Sequence, residues 1–147
     1  MIQKLRERST NEGGFTLVEL LVVMLILGLL AAIAIPSFFN QRDKAKDADA
    51  KAHVRTAQTA IETYATDNDG SYAGATPLIL QGIETSLNDA NALAVTSSAN
   101  DYTVEADAND TGNHFEISRL ATGVLDSDCT TQGQGGCPTG GKWAADG

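Results

Sequence analysis

Positive charge is scarce in this chain. Ten Lys and Arg stand against 19 Asp and Glu, for a net charge of −9 at pH 7. From Phe15 onward seven basic residues face 17 acidic ones, so that stretch alone carries −10. A surface this acidic repels phosphate-rich partners, and no bulk nucleic-acid binding is expected. Histidine is scarcer still. His53 lies among alanines and charges and His114 opens an alternating stretch, neither with a nucleophile or carboxylate partner at a readable spacing. Both are read as surface residues, so no catalytic residue is identified and the chain is not expected to be an enzyme. Cys129 and Cys137 have no nearby histidine to complete a zinc set and lack the spacing of a redox CxxC pair. No metal and no cofactor is expected. Aromatic residues amount to 5 %, and Tyr64, Tyr72, Tyr102 and Phe115 are read as packing groups rather than a ligand platform.

What the chain does have is one long apolar run. The 147 residues suffice for one ordinary domain, but this run leaves roughly a hundred for a soluble core, a size that often leans on a staple. Residues 1–14 are short and polar, with Lys4, Arg6 and Arg8 placed to hold the N-terminus in the cytoplasm. From Phe15 to Ile35 the only charge in 21 residues is Glu19. As a helix that stretch is about 32 Å long, enough to span a bilayer. Gly28 lies within it and Pro36 closes it. From Asn40 to about Thr66 the sequence turns alanine-rich and charged without a break. Val54, Ala57, Ile61, Tyr64 and Ala65 form one apolar stripe at helical spacing. Asp47 and Lys51, four apart, are expected on the opposing surface. Together these segments predict one helix of about fifty residues, ended by Asp67-Asn68-Asp69-Gly70.

Beyond Gly70 the pattern changes. Thr76-Pro77 has the form of a cap and first turn for a short helix. Residues 101–120 alternate, with Tyr102, Val104 and Ala106 on one face and Thr103 and Glu105 on the other. Phe115 and Ile117 alternate in the same way with Glu116 and Ser118, and "DANDTGN" supplies a turn. That pattern predicts an antiparallel hairpin, with a further strand through "ATGVLDSD". The expected fold is α+β: a long N-terminal helix, transmembrane and then amphipathic, packed on a small antiparallel sheet. The tail is glycine-rich, and a cysteine pair beyond a hydrophobic export segment reads as one disulfide formed in an oxidising compartment.

Glu19 is costly where it stands. A charge at the centre of a membrane helix costs roughly 2.5–3.5 kcal/mol on insertion scales. A plain signal anchor has no use for it. Neither does a secretory signal peptide cleaved after the small-x-small site Ala32-Ile33-Ala34, which would leave a mature chain starting at Ile35. A third reading uses more of the residues. Gly13-Gly14, then Phe15-Thr16-Leu17-Val18-Glu19, then an unbroken apolar helix resembles the class III leader of type IV pilins and type II secretion pseudopilins. The resemblance covers about residues 10–40, and the rest of the chain matches only in general organisation.

The resemblance implies that a prepilin peptidase cuts between Gly14 and Phe15 and methylates the new N-terminal Phe15. Glu19 then neutralises an α-amino group, its own or that of a neighbouring subunit, and registers the subunit during assembly. Two opposite charges brought together in low dielectric relieve each other's desolvation. It further implies that helical hydrogen bonds between Gly28 and Pro36 can open in a filament, and that Cys129 and Cys137 form a C-terminal disulfide loop. Four segments follow: 1–14, a cleaved leader; 15–36, a transmembrane and filament-core helix; 37–66, its amphipathic continuation; and 67–147, a β-rich head.

The function this implies is that of a type IV pilin, held singly in the cytoplasmic membrane and then assembled with identical subunits into a surface pilus. Its other partners would be the prepilin peptidase and the pilus assembly machinery. A type II secretion pseudopilin and a minor tip pilin acting as a binding module are the alternatives. Two further patterns complete the reading. Asp67, Asp69, Asp126 and Asp128 invite a calcium assignment, but lack an EF-hand's spacing and closing Glu and are read as solvated turns. Asn109-Asp110-Thr111, with Asp107 two residues ahead, is a glycosylation sequon at the expected hairpin turn, which makes Asn109 a candidate acceptor.

Overall fold

The computed structural model describes residues 14–144. The leader expected over residues 1–14 therefore lies outside the described residues except for Gly14. By internal contacts the chain divides into two units, residues 1–38 and residues 39–147. Helix α1 (Leu17–Asp67, 51 residues) supplies the first unit and opens the second.

In the first unit, Thr16 caps the helix. The Glu19 backbone N–H donates to Thr16 Oγ1 at 3.2 Å, and Leu20 N–H donates to Thr16 O. That geometry puts Glu19 at the third helical position, where an acidic side chain faces the positive end of the helix dipole. Thr16-Leu17-Val18-Glu19 is thus a helix start in its own right. The apolar residues that follow are largely uncovered, with Leu25 75 % exposed and Ile33 71 %. The helix is assigned without a break through Gly28 and Pro36.

The second unit holds the rest of α1 and the head. Helix α2 (Pro77–Ile83) starts at Thr76, whose hydroxyl accepts from Ile79 N–H, with proline in the first turn as its fixed φ favours. A 3-10 turn (Thr85–Asp89) leads into β1 (Asn91–Ser97), β2 (Tyr102–Asp107), β3 (His114–Arg119) and β4 (Leu125–Cys129). The four strands form one antiparallel sheet in chain order. Val104 pairs with Ile117 and Glu105 with Glu116 across β2 and β3, and Glu116 in turn faces Asp128 on β4. β2 alternates buried and half-buried residues throughout, with Tyr102, Val104 and Ala106 inside.

The core forms where the helix stripe meets that inner face. Ala50, Val54, Ala57, Ile61 and Ala65 are buried with Val104, Phe115 and Ile117. Alanines on the stripe leave room for the strands' larger side chains, which is how small and large residues interlock at native density. Leu80 from α2 and Leu87 from the 3-10 turn are fully buried in the same core. α1 stops where Gly70, at φ +82, donates its N–H to Ala65 O at 2.8 Å, a turn that glycine adopts without strain.

The structure adds one strand and corrects two expectations. β1 was not anticipated: "NALAVTS" alternates little in side-chain size and sits at the sheet edge, mostly half-buried, with a register shift between Asn91 and Ala94. Asp126 and Asp128 are strand residues of β4, whereas Asp67 and Asp69 do lie at the helix end. Asp47 does not face solvent: it is 0 % exposed.

Candidate functional site

The first candidate is the helix start itself. Phe15 is 78 % exposed and Leu17 73 %, and an 18-residue window of α1 has a mean hydropathy of 2.9 with none of it buried. Among the described residues α1 is the one helix long and apolar enough to cross a membrane. Leaving this much contiguous apolar surface in water is strongly unfavourable, at about 25 cal/mol per Å². Glu19 sits one turn from Phe15, at the end where a chain cut after Gly14 would carry its new amino group. A Cβ added at Gly28 would meet nothing within 4 Å, so the monomer does not itself require glycine there.

The second is a polar junction that the sequence reading missed. The Asp47 carboxylate accepts from Thr111 Oγ1 at 2.7 Å, from Asn113 Nδ2 at 2.6 Å and from the Gly136 backbone N–H at 2.7 Å. Lys51, one turn along, donates to Gly136 O. Asp47 therefore ties three parts of the head together: α1, the β2–β3 turn and the loop closed by the Cys129–Cys137 disulfide. A fully buried carboxylate is tolerable because three donors, one of them backbone, replace its water. Burial pushes the Lys51 pKa down, and Arg55 adds to that, against the opposing pull of Asp47. A signal did exist. Residues 47, 50, 54, 57 and 61 continue the helix stripe at steps of three and four, which puts Asp47 on the same face as the buried residues.

A comparable tie lies farther along α1. Glu62 accepts from the hydroxyls of Tyr72 and Tyr102, both at 2.9 Å, and from Arg119 Nη1 at 3.3 Å. Burial and the Glu62 hydrogen bond push both tyrosine pKa values up, so both remain neutral donors.

The disulfide joins Cys129, at the end of β4, to Cys137. Trp143 folds back over this region. Its indole N–H is shared between Asp128 O at 2.8 Å and Glu116 O at 3.2 Å, and its ring meets Phe115 edge-on with centroids 5.7 Å apart. Lys51 and Arg55 from α1 lie over the indole ring. The glycine-rich tail is thereby pinned to both the sheet and the helix.

Asn109 is exposed in the β2–β3 turn. The sequon's Thr111, however, gives its hydroxyl to Asp47. His114 also needs correction. Its Nδ1 lies 2.6 Å from Asp107 Oδ1 and its Nε2 lies 3.0 Å from Glu105 Oε2. Both carboxylates come from the neighbouring strand, where no short sequence spacing would reveal them.

Residues 9–35 match the model of the prokaryotic N-terminal methylation motif. The chain is similar to the type IV wide pilus major component PilA4 of Thermus thermophilus, at 35 % identity over 92 residues, covering 63 % of this chain and 70 % of that protein. It is similar to the type II secretion system core protein G of Pseudomonas aeruginosa, at 38 % identity over 74 residues, 50 % of this chain and 49 % of the relative. With the type IV major pilin protein PilA of Myxococcus xanthus the identity is 41 % over 61 residues, 42 % of this chain but only 28 % of the relative. No solved structure matches the chain significantly.

Proposed function

Because this chain belongs to the family of type IV pilins and type II secretion pseudopilins, structural subunits rather than enzymes, we propose that it is a type IV pilin of a surface filament. A prepilin peptidase cuts between Gly14 and Phe15 and methylates the Phe15 amine. Residues 15–36 hold the subunit in the cytoplasmic membrane until the assembly machinery extracts it. In the filament those helices exchange lipid for one another, and the acidic heads face outward. Repeated head-to-tail contacts that do not close produce an open polymer.

The observation that carries this reading is the bare apolar face of α1 with a carboxylate one turn from Phe15. Lipid covers the first and has no answer for the second. A neighbouring subunit supplies both an apolar surface and an α-amino group for Glu19, and the pair relieves the desolvation that each charge suffers alone. Gly28 and Pro36 mark where the helix gives way as the core packs: proline removes one backbone hydrogen bond and glycine weakens its own turn.

The likeness to the secretion-system core protein G of Pseudomonas aeruginosa favours a second reading, a pseudopilin retained within the envelope. Fractionation separates the two. A surface pilin is released by shearing intact cells and is seen as filaments in the sheared fraction. A pseudopilin stays with the cells, and finding the protein only there would reject the surface-filament reading.

A further inference from the structure

The outer face of the sheet carries a row of acid groups that the filament reading does not use. Glu105 on β2, Glu116 on β3 and Asp128 on β4 lie directly opposite one another in register. Like charges so placed oppose strand pairing. Asp128 has Lys142 Nζ at 3.8 Å and gives one oxygen to the Cys129 N–H. Glu105 pairs with His114, and one ligand atom from each of Glu105, His114 and Glu116 lies within 4.8 Å of the other two.

His114 is held at both ring nitrogens. Asp107 Oδ1 takes its Nδ1–H at 2.6 Å, which fixes the ring's tautomer and turns Nε2 toward Glu105, 3.0 Å away. A carboxylate behind a histidine whose other nitrogen faces a further carboxylate, with Glu116 beside the pair, is the arrangement that orients metal-binding imidazoles. Adjacent ligands on a tetrahedral ion stand about 3.3 Å apart for bonds near 2.0–2.1 Å, so the Nε2–Glu105 spacing already suits one. The three side chains are half-buried, and His114 and Glu116 border an open cleft lined also by Asp128, Thr130 and Gln132, which admits both an ion and a water.

We propose that Glu105, His114 and Glu116 bind a divalent transition-metal ion of the zinc class on the outer face of the head, with Asp107 as the positioning residue behind His114. The donor set of one imidazole and two carboxylates suits zinc better than calcium, which takes six or more oxygen ligands. Bound there, the dication cancels the charge repulsion between β2 and β3 that a single imidazolium only halves.

The test uses the full chain in detergent, stripped with a chelator and titrated with zinc chloride by calorimetry near neutral pH. One saturable site of micromolar or tighter affinity is expected, weakened at least tenfold in His114→Gln and in Glu116→Gln and unchanged in His53→Gln. Glu116→Gln leaves the His114–Asp107 bond in place, so its loss of binding at an unaltered unfolding temperature cannot be put down to misfolding. Asp107→Asn is expected to weaken binding by 10–100-fold. The imidazole resonances of His114, and not those of His53, should move on adding zinc. Absence of saturable binding, or equal binding by the wild type and His114→Gln, overturns the proposal and leaves His114 as the centre of an ion-pair cluster alone.

Discussion

The carboxylate of Asp47 accepts the backbone N–H of Gly136 at 2.7 Å, across 89 residues of sequence. This contact joins α1 to the disulfide loop of the head. With Thr111 and Asn113 bound to the same carboxylate, the loop and the β2–β3 turn are seated on the helix by one side chain.

Removing that carboxylate should loosen both. Asp47→Ala strands the Thr111, Asn113 and Gly136 donors; a hydrogen bond to a charged group is worth about 1.5–3 kcal/mol, and three to one carboxylate add only in part, since the freed donors can turn to water. A loss of about 2–4 kcal/mol of stability is expected in urea unfolding, with hydrogen exchange speeding up first in residues 131–137. A change below about 0.5 kcal/mol, the range of an ordinary surface substitution, would contradict the account.

Gly135 should be intolerant where Gly140 is not. Gly135 has φ +56, and a Cβ there would collide with Asp47 Oδ2, whereas one at Gly140 meets nothing within 4 Å. Gly135→Ala is expected to cost about 1–3 kcal/mol, from left-handed strain together with the displaced carboxylate. Gly140→Ala should lie within about 0.5 kcal/mol of wild type. Paired thermal unfolding curves decide it, and equal effects would refute the seating of the loop.

Reduction of the Cys129–Cys137 bond should lower stability by roughly 2–3 kcal/mol, the size expected for closing so short a loop. The comparison is unfolding with and without a strong reductant. The Asp47 contacts should hold the reduced loop partly in place, so the native fluorescence of Trp143 is expected to survive reduction at room temperature.

Stability should also fall as pH rises past neutrality, through His114. Burial alone lowers its pKa, but the hydrogen bonds to Asp107 and Glu105 and the charges of those carboxylates outweigh it, and the net shift is upward from 6.5. The native state therefore holds the proton more tightly than the unfolded chain does. The resulting stabilisation is complete below about pH 6.5 and is lost as pH rises through the higher native value. In chelator, wild type and His114→Gln should differ most at pH 6 and converge by pH 9. A difference that grows with pH would reverse the assigned sign.

Much of this architecture can be read from residue order. The α1 run shows itself because an apolar stretch leads into an amphipathic one with only Pro36 between them, and the β2–β3 hairpin because Tyr102, Val104 and Ala106 alternate with polar neighbours. β1 escapes notice because its alanines carry no contrast in size and its edge position demands little. Asp47 escapes because a charge is read as solvated unless its partners are known, and those partners lie 64 to 89 residues away. His114 escapes for the same reason, since strand pairing alone brings Glu105 and Asp107 to it. Glu19 is the opposite case: its cost is visible in the sequence, and Thr16 adds a local role at the helix start.

The central claim is that Phe15 becomes the first residue of a filament subunit. Its most direct test is the intact mass and N-terminal sequence of the protein sheared from the cell surface. The account predicts a chain that starts at Phe15 and carries one additional methyl group. A chain that starts at Ile35, or one that keeps residues 1–14, would contradict it.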